Sequence, residues 1–414
     1  MPLDLKKVIT QLTSLENQNT LDIAKNRIVS TYNLLQDAFN NQQKLLTKLI
    51  ETRSNEKANF FFAIPELEEE NISSLIPCDK NFSQPHIVVA TDGSQINPSA
   101  HEFTNAFLIN IGLTAIPYFN RNIPVLLNSE PHIYNSIEDI NPLASEKRNF
   151  YDNVHEEDLV AYERTLQEVE LLVKLAKKYT NHKLPIIALL DGTLIHWHIE
   201  KFNNAFIEHF IKRFTDALLE LKSLNIPVAS FLSNSRANDL INMLRIYKCP
   251  YDSVDCKKHC SDIVAKNLPC NPILDYKPIF DRKLVGKYFT DKTAEAGTRT
   301  VLFKSNSKIL NHYNNELKIL FFYINTGTEI ARVEIPSYVA QDENLLTLLH
   351  NTIYLQCKVG FGYPVTLSES HLQAIVNRND GQIFYELLKK ELLKRKQTPI
   401  TLSAKEFKKR ISFV

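Results

Sequence analysis

Glycine is scarce in this chain, since only nine of the 414 residues are glycine. A protein that binds nucleotides through several glycine-rich loops would need more, so the composition disfavours that class. Long apolar runs are also lacking, and the longest fall far short of the roughly 18 residues that cross a bilayer. The first residues form no basic-then-apolar secretory signal. The sequence therefore predicts a cytoplasmic protein with no membrane segment.

Net charge is also nearly absent. Lys and Arg number 48 and Asp and Glu number 47, which gives a formal net charge of +1 at pH 7. Since no global field attracts nucleic acid, any polyanion would have to be held by local basic patches or metal ions. One basic patch lies between Lys389 and Arg410. It is either a solvated face of a terminal helix or a DNA contact, and the sequence leaves both open.

The sequence does contain a short apolar run that ends in a carboxylate. Pro185–Leu190 is apolar without a break and is followed by Asp191, Gly192 and Thr193. Its length and its initial proline favour a buried strand over a helix. Open α/β sheets place their chemistry at the carboxyl ends of strands, so Asp191 is a candidate site residue. Thr193 is expected to cap a following helix.

The same pattern occurs earlier in the chain. The β-branched run His86–Ala90 leads through Thr91 into Asp92, Gly93 and Ser94. Two strands that both end in Asp-Gly-hydroxyl would bring Asp92 and Asp191 together at one edge of a sheet. Asp-Gly is also ordinary turn chemistry after a strand, which is the simpler interpretation of either copy alone.

The pattern of helices and strands predicts three regions. Residues 1–79 are expected to form a helical or coiled-coil arm and a connector, because apolar residues from Ile28 to Leu49 recur at near-heptad spacing. This arm is either a dimerisation element or a helix that lies on its own domain. Residues 80–396 are expected to form an α/β domain with a cysteine-containing insertion at 249–270, and residues 397–414 a basic tail.

Two strand-end carboxylates need a third ligand to hold a divalent ion. The predicted helix at residues 157–179 offers Glu163, Glu168 and Glu170. Hard cations take oxygen ligands and assist phosphodiester cleavage. Spacing alone does not choose among these glutamates.

Five segments resemble the NurA nucleases. Val88–Phe103, with Leu108–Gly112 after it, is similar to the first motif of that family, and Ile186–Leu194 is similar to its second aspartate motif. Glu163–Leu172 resembles the arginine-then-glutamate helix, and Gly362–Val376 resembles the closing motif. Phe321–Ala340 is similar to bacterial members. The motifs occur in the order that the family shows.

The resemblance implies an RNase H-like mixed sheet flanked by helices, with an N-terminal helical arm. It implies a DNA nuclease dependent on Mn²⁺ or Mg²⁺, with 5′-to-3′ exonuclease and single-strand endonuclease activity. Relatives form homodimers and act with the hexameric HerA translocase in DNA end resection. By the same resemblance Asp92, Glu168 and Asp191 are the metal ligands and His371 is a catalytic residue.

Two cations are candidate phosphate contacts. Many relatives carry a basic residue near Asn234, whereas here the nearest is Arg236, a departure that puts this contact in doubt. Arg236 and Lys304 each lie just after a predicted strand and are expected to contact DNA. Exposure to solvent is the simpler interpretation of either residue alone.

Four of the six cysteines cluster in the sequence: Cys249, Cys256, Cys260 and Cys270. A cytoplasmic chain argues against structural disulfides, so the cluster predicts a soft-metal site that holds zinc or an iron–sulfur cluster. The spacing contains no C-x2-C pair and matches no standard template. Free thiols in an insertion are the alternative.

Two other functions compete with a nuclease. An actin-like ATPase or sugar kinase also uses strand–Asp-Gly turns around phosphates, but it needs glycine-rich contacts late in the chain that this sequence lacks. A non-catalytic RNase H-like DNA-binding protein or partner clamp would keep the fold without the chemistry. The joint presence of Asp92, Glu168, Asp191 and His371 argues against that alternative.

Overall fold

A computed structural model of the chain describes residues 4–13, 18–66, 71–98, 104–140, 155–264, 268–270 and 279–395. The predicted basic tail at 397–414 lies outside these residues. The chain divides into two compact units. The first comprises residues 1–77, 233–307 and 321–332, and the second comprises residues 78–232, 308–320 and 333–414.

The described chain contains both strands and helices. The strands are β1 (Ala63–Pro65), β2 (Leu75–Ile76), β3 (His86–Ile96), β4 (Phe107–Tyr118), β5 (Leu126–Tyr134), β6 (Ile186–Asp191), β7 (Val228–Leu232), β8 (Arg299–Thr300), β9 (Phe303–Ser305), β10 (Ile319–Asn325) and β11 (Ile330–Pro336). The helices are α1 (Leu5–Thr13), α2 (Gln18–Asn40), α3 (Gln42–Asn55), α4 (Glu156–Tyr179), α5 (Asn204–Ser223), α6 (Asp239–Lys248), α7 (Cys256–Cys260), α8 (Asp281–Asp291), α9 (Ser337–Ala340), α10 (Glu343–Val359), α11 (Val365–Ala374) and α12 (Arg378–Lys394). The protein is therefore mixed α/β, as the sequence predicts.

In the first unit, the N-terminal helices pack on later parts of the chain. Tyr32 and Leu35 of α2 and Leu45 and Leu49 of α3 are buried in one core with residues of α6 and α8. The Tyr32 hydroxyl donates a hydrogen bond to Asp291, which closes α8. The first unit therefore does not end at the predicted boundary between residues 79 and 80. It includes residues beyond 232, against which α2 and α3 bury their apolar faces.

The second unit contains the sheet on which the predicted site residues lie. Its strands run in the order β5-β4-β3-β6-β7. Strands β3, β6 and β7 are parallel, while β4 is antiparallel to both β3 and β5. Thr91 pairs with Leu190 across the parallel β3–β6 ladder. Asp92 and Asp191 therefore follow at adjacent positions on neighbouring strands.

The expectation that both of these strands end at their Asp-Gly pair is wrong for β3. That strand continues to Ile96, and Asp92 pairs with Gly112 of β4 in the middle of an eleven-residue ladder. Aspartate and glycine disfavour strands in isolation, but pairing with a long neighbouring strand overrides that preference. At β6 the expectation is confirmed, since the strand ends at Asp191.

Strand β5 was not predicted. The sequence indicates a polar, proline-containing excursion after β4, whereas Leu126–Tyr134 pairs along nine residues of β4. Because β5 lies at the edge of the sheet order and is largely exposed, it lacks an apolar run. Pro131 is compatible with an edge strand.

We find no helix in the described ranges with the length and apolar character needed to span a membrane.

Candidate active site

Helix α4 places one glutamate against the two aspartates. The helix packs on β3, where the Thr91 hydroxyl donates a hydrogen bond of 2.9 Å to the Glu168 carbonyl. The backbone N–H of Gly93 donates to the Glu168 carboxylate. A Cβ at position 93 would lie 2.5 Å from Glu168 Oε1 and 2.6 Å from Arg164 Cγ. Glycine at position 93 therefore permits the close approach of α4 to the strand.

The other two candidate glutamates are engaged elsewhere. Arg213 of α5 binds both, with Nη1 2.6 Å from Glu163 Oε2 and Nε 2.9 Å from Glu170 Oε1. Two further bonds from Arg213 Nη2 make each contact bidentate, which is the strong geometry for guanidinium and carboxylate. Glu163 and Glu170 therefore act in helix packing, and Glu168 is the glutamate of this set that faces Asp92 and Asp191.

The three carboxylates repel one another. Burial, followed by repulsion from Asp92 and Asp191, raises the pKa of Glu168 to about 8, although Arg164 opposes the shift. Partial burial and repulsion from Asp92 likewise raise the pKa of Asp191, even though that residue keeps an exposed face. Acids held together in this way repel one another when they ionise, and a bound cation would relieve that repulsion.

Arg164 is the nearest cation to Glu168. It lies one turn earlier on α4, with Nε 3.2 Å from Glu168 Oε1. Nε is buried and is not aligned for a hydrogen bond. The contact is therefore an ion pair that offsets part of the negative charge without a directed bond.

His371 joins the carboxylates from α11. Its Nδ1 lies 2.6 Å from Asp92 Oδ2, and its side chain is 65% exposed. Since an ionised carboxylate only accepts, Nδ1 donates this bond. Helix α11 starts at Val365, and His371 lies in its last turn.

The carboxyl end of α11 is fixed to the sheet. Ala374 O accepts hydrogen bonds from the Ser94 hydroxyl and from Asn110 Nδ2, the latter at 2.8 Å. A side chain at Gly112 would overlap the backbone of α11 at Ser370 and Ala374. These contacts set the height of His371 over Asp92.

Sequence reasoning missed Tyr363 as a site residue. Its phenol donates a hydrogen bond to Asp191, and burial together with the charge of that carboxylate raises the pKa of Tyr363. The ring packs edge-on against Phe231, with centroids 5.5 Å apart. The tyrosine lies within the closing motif Gly362–Val376, but only the tertiary fold reveals its contact with Asp191.

A buried glutamate fixes the turn after β6. Glu334, 1% exposed, accepts 2.8 Å hydrogen bonds from the Thr193 hydroxyl and the Leu194 N–H. The prediction that Thr193 caps a helix is therefore wrong. The cap of α5 is Asn203, whose side chain accepts from the N–H of Phe206.

His196 and His198 pack against aromatic rings. The His196 ring lies 4.4 Å from that of Phe214 and its Nε2 is buried without a hydrogen-bond partner among the described residues. Burial lowers the pKa of His196 to about 3. His198 stacks on Tyr162 at 5.4 Å.

The two predicted phosphate contacts lie in the first unit. Lys304 is in β9 and forms an ion pair with Glu66. Arg236 is exposed in the segment between β7 and α6. Their contact with DNA stays a prediction, and for Lys304 it would require exchange of the glutamate partner.

The clustered cysteines also lie in the first unit, and all are free thiols. Cys249 follows the last residue of α6, Cys256 and Cys260 begin and end α7, and Arg245 Nη2 lies 3.8 Å from Cys270 Sγ. Burial, and then repulsion from the other three thiols, raises the pKa of Cys260. The four thiols are thus neighbours, and the soft-metal site stays a prediction.

Among the described residues, no group of three or more His, Cys, Asp and Glu side chains is arranged to hold an ion. At the candidate active site the donor chemistry nevertheless fits a hard divalent cation. Asp92, Glu168 and Asp191 offer carboxylate oxygens, and burial together with repulsion between these acids raises the pKa values of Glu168 and Asp191.

Comparison with known proteins identifies one family. The family model of the NurA domain matches residues 86–375, more than two thirds of the chain. No curated protein matches. Among solved structures, the native protease–reverse transcriptase of prototype foamy virus is 16% identical, over 40% of this chain and 19% of that one, with a TM-score of 0.22. The chain thus spans about a fifth of that protein, and a similarity this low carries no argument about fold.

Proposed function

This chain belongs to the NurA family of nucleases, and from that premise we propose that it is a divalent-metal-dependent DNA nuclease. The observation that carries the proposal is the grouping of Asp92, Glu168 and Asp191, with His371 hydrogen-bonded to Asp92. A purely structural site would not concentrate three mutually repelling carboxylates beside an exposed histidine, because their repulsion lowers stability.

The carboxylates would hold Mn²⁺ or Mg²⁺, both of which take oxygen ligands. Bound there, the ion supplies Lewis-acid activation of the phosphodiester. In the ion-free protein, the Glu168 carboxylate that would hold the ion lies beside Arg164, and the Asp92 carboxylate lies beside His371.

The protein residues have separate roles. His371 donates from Nδ1 to Asp92, which leaves Nε2 as the ring nitrogen that can take a proton from the attacking water or, once protonated, give one to the leaving oxygen. Tyr363 orients the Asp191 carboxylate through its phenol. The Arg164 guanidinium, beside Glu168, would offer N–H donors suited to a phosphate oxygen.

We also propose that the second unit is RNase H-like. The strand order β5-β4-β3-β6-β7 supports this assignment. In it, β4 is antiparallel to β3, whereas β3, β6 and β7 are parallel to one another. The finer family properties are proposals that rest on family membership. They are 5′-to-3′ exonuclease and single-strand endonuclease activity, a homodimer, a HerA-type hexameric partner, and a role in DNA end resection in the cytoplasm.

One assay tests the proposal. Purified full-length protein is incubated with linear DNA labelled at either the 5′ or the 3′ end, with Mn²⁺, with Mg²⁺, with EDTA, and with ATP but no divalent ion. We expect cleavage with Mn²⁺ or Mg²⁺ and none with EDTA. The order in which the two labels are released gives the polarity.

The matched control uses helix α4. Glu168→Gln is expected to abolish cleavage, whereas Glu170→Gln, on the same helix but paired with Arg213, should retain it. Wild-type protein that binds DNA but does not cleave it under any of these conditions would instead favour the non-catalytic clamp.

A further inference from the structure

The short connection between α10 and α11 exposes an aromatic ring to solvent. Phe361 is 92% exposed, more than any other large apolar side chain in the described part of the chain. An isolated exposed apolar residue is common on protein surfaces and needs no explanation. The backbone and the surroundings of Phe361 distinguish it from such residues.

The backbone holds this ring in a strained, fixed position. Phe361 has a φ of +54°, in the left-handed region that costs a residue with a side chain about 1–2 kcal/mol. The turn is held by hydrogen bonds from Gly362 N–H to Cys357 O at 2.7 Å and from Tyr363 N–H to Gly360 O at 3.3 Å. These contacts fix the backbone from which the exposed ring projects.

The same turn carries a site residue. Tyr363, two positions later, donates its phenol to Asp191. Since two residues of extended chain span about 7 Å, Phe361 is anchored within that distance of the Tyr363 backbone. The turn that exposes Phe361 therefore also carries the residue that contacts Asp191.

A cation lies close to Phe361 in the sequence. Lys358 is exposed in the last turn of α10, three residues before Phe361. An exposed aromatic ring together with a cation is the combination by which proteins hold single-stranded nucleic acid, because the ring stacks on a base and the cation contacts the backbone.

We propose that Phe361 is a substrate-positioning residue on which an unpaired base stacks, adjacent to the phosphodiester that is cleaved. Inside a duplex both faces of a base are covered by its neighbours, so the ring selects single strands, frayed ends or flipped bases. This inference rests on the proposed nuclease function and adds to it a residue that positions the unpaired strand.

The test measures stacking and catalysis separately. A single-stranded oligonucleotide with one 2-aminopurine is titrated with full-length protein, with Ca²⁺ in place of the catalytic ion, and its fluorescence and anisotropy are recorded. Cleavage of the same oligonucleotide with Mn²⁺ gives kcat and KM. Stacking on Phe361 quenches 2-aminopurine fluorescence.

Phe361→Ala is expected to abolish the quenching and to raise Kd and KM about 5- to 100-fold, with kcat changed less than about threefold. Phe361→Trp should restore quenching and affinity. Phe119→Ala is the matched control, because Phe119 is also exposed, at 50%, with a φ of +56°. It should bind and cleave as the wild type does.

The outcomes separate the two proposals. Wild-type protein that neither binds nor cleaves DNA overturns the proposed function, and this inference with it. If the wild type is active and the Phe361→Ala variant has the same Kd, KM and quenching within about twofold, the inference about Phe361 is overturned and the proposed function stands. The inference is also overturned if Phe361→Ala converts a wild-type dimer to monomers and leaves quenching intact, because the ring would then serve self-association.

Discussion

Replacing Glu168 with glutamine should stabilise the metal-free protein while it abolishes cleavage. The pKa of Glu168 is raised from 4.5 to about 8, first by burial and then by repulsion from Asp92 and Asp191. The folded state therefore holds a proton that the unfolded state releases. The stability linked to this proton is fully present below pH 4.5 and is lost as the pH rises toward 8.

The size of the effect follows from the difference in pKa. The pH of 7 lies 2.5 units above the pKa of this carboxyl in the unfolded chain but below its pKa in the folded protein. Ionisation of the unfolded chain therefore lowers the free energy of unfolding by about 3 kcal/mol at pH 7. The Glu168 side chain is 14% exposed, so little of this is screened. Glutamine carries no titrating proton, and Glu168→Gln should raise the free energy of unfolding at pH 7 by about 2–3 kcal/mol and at pH 5 by less than about 1 kcal/mol.

The assay is urea unfolding in EDTA between pH 5 and pH 8. Trp197 is the single tryptophan and lies in the second unit, so its fluorescence follows the unit that contains Glu168. Glu163→Gln is the control, and it should lower stability because it breaks the pairing with Arg213. A Glu168→Gln variant less stable than the wild type at pH 7, or a difference independent of pH, would refute the electrostatic argument.

Four other perturbations test separate contacts. Tyr363→Phe should lower kcat about 10- to 100-fold in the cleavage assay, since it removes the hydrogen bond that orients a ligand, and unchanged kcat would contradict the assignment. Gly93→Ala should abolish cleavage with the fold retained by circular dichroism, because the new Cβ meets Glu168. The buried His196, with a pKa near 3, should make stability fall as the pH drops from 6.5 toward 3, and His196→Phe should flatten that slope in thermal unfolding. Protein prepared without oxygen should contain about one equivalent of zinc or one iron–sulfur cluster that Cys256→Ser loses; less than about a tenth of an equivalent would leave free thiols.

The sheet and its aspartates could be predicted because buried parallel strands leave a clear signal. Ile186–Leu190 is apolar on both faces, so the sequence locates β6 and places Asp191 at its end. The end of β3 could not be predicted, because pairing with β4 and not local preference extends it through Asp92. Edge strand β5 was missed because it is mostly exposed.

The site was predicted only in part, because ligand identity depends on which face a helix presents. Spacing left Glu163, Glu168 and Glu170 equivalent, and only the resemblance to the NurA nucleases pointed to Glu168. In the structure, Arg213 binds the other two. Tyr363 gave no signal of its own, since a tyrosine in an apolar turn ordinarily packs. Its role became visible only when the fold placed its phenol on Asp191.

The most direct test of the central claim is cleavage of end-labelled linear DNA by wild-type and Asp191→Asn protein, measured side by side in Mn²⁺. The substitution keeps the shape of the side chain while it removes the charge. We predict cleavage by the wild type that EDTA abolishes, and none above background by Asp191→Asn, with both proteins folded by circular dichroism. Cleavage by Asp191→Asn at the wild-type rate, with contaminating nucleases excluded, would contradict the assignment of this site as a metal-dependent nuclease.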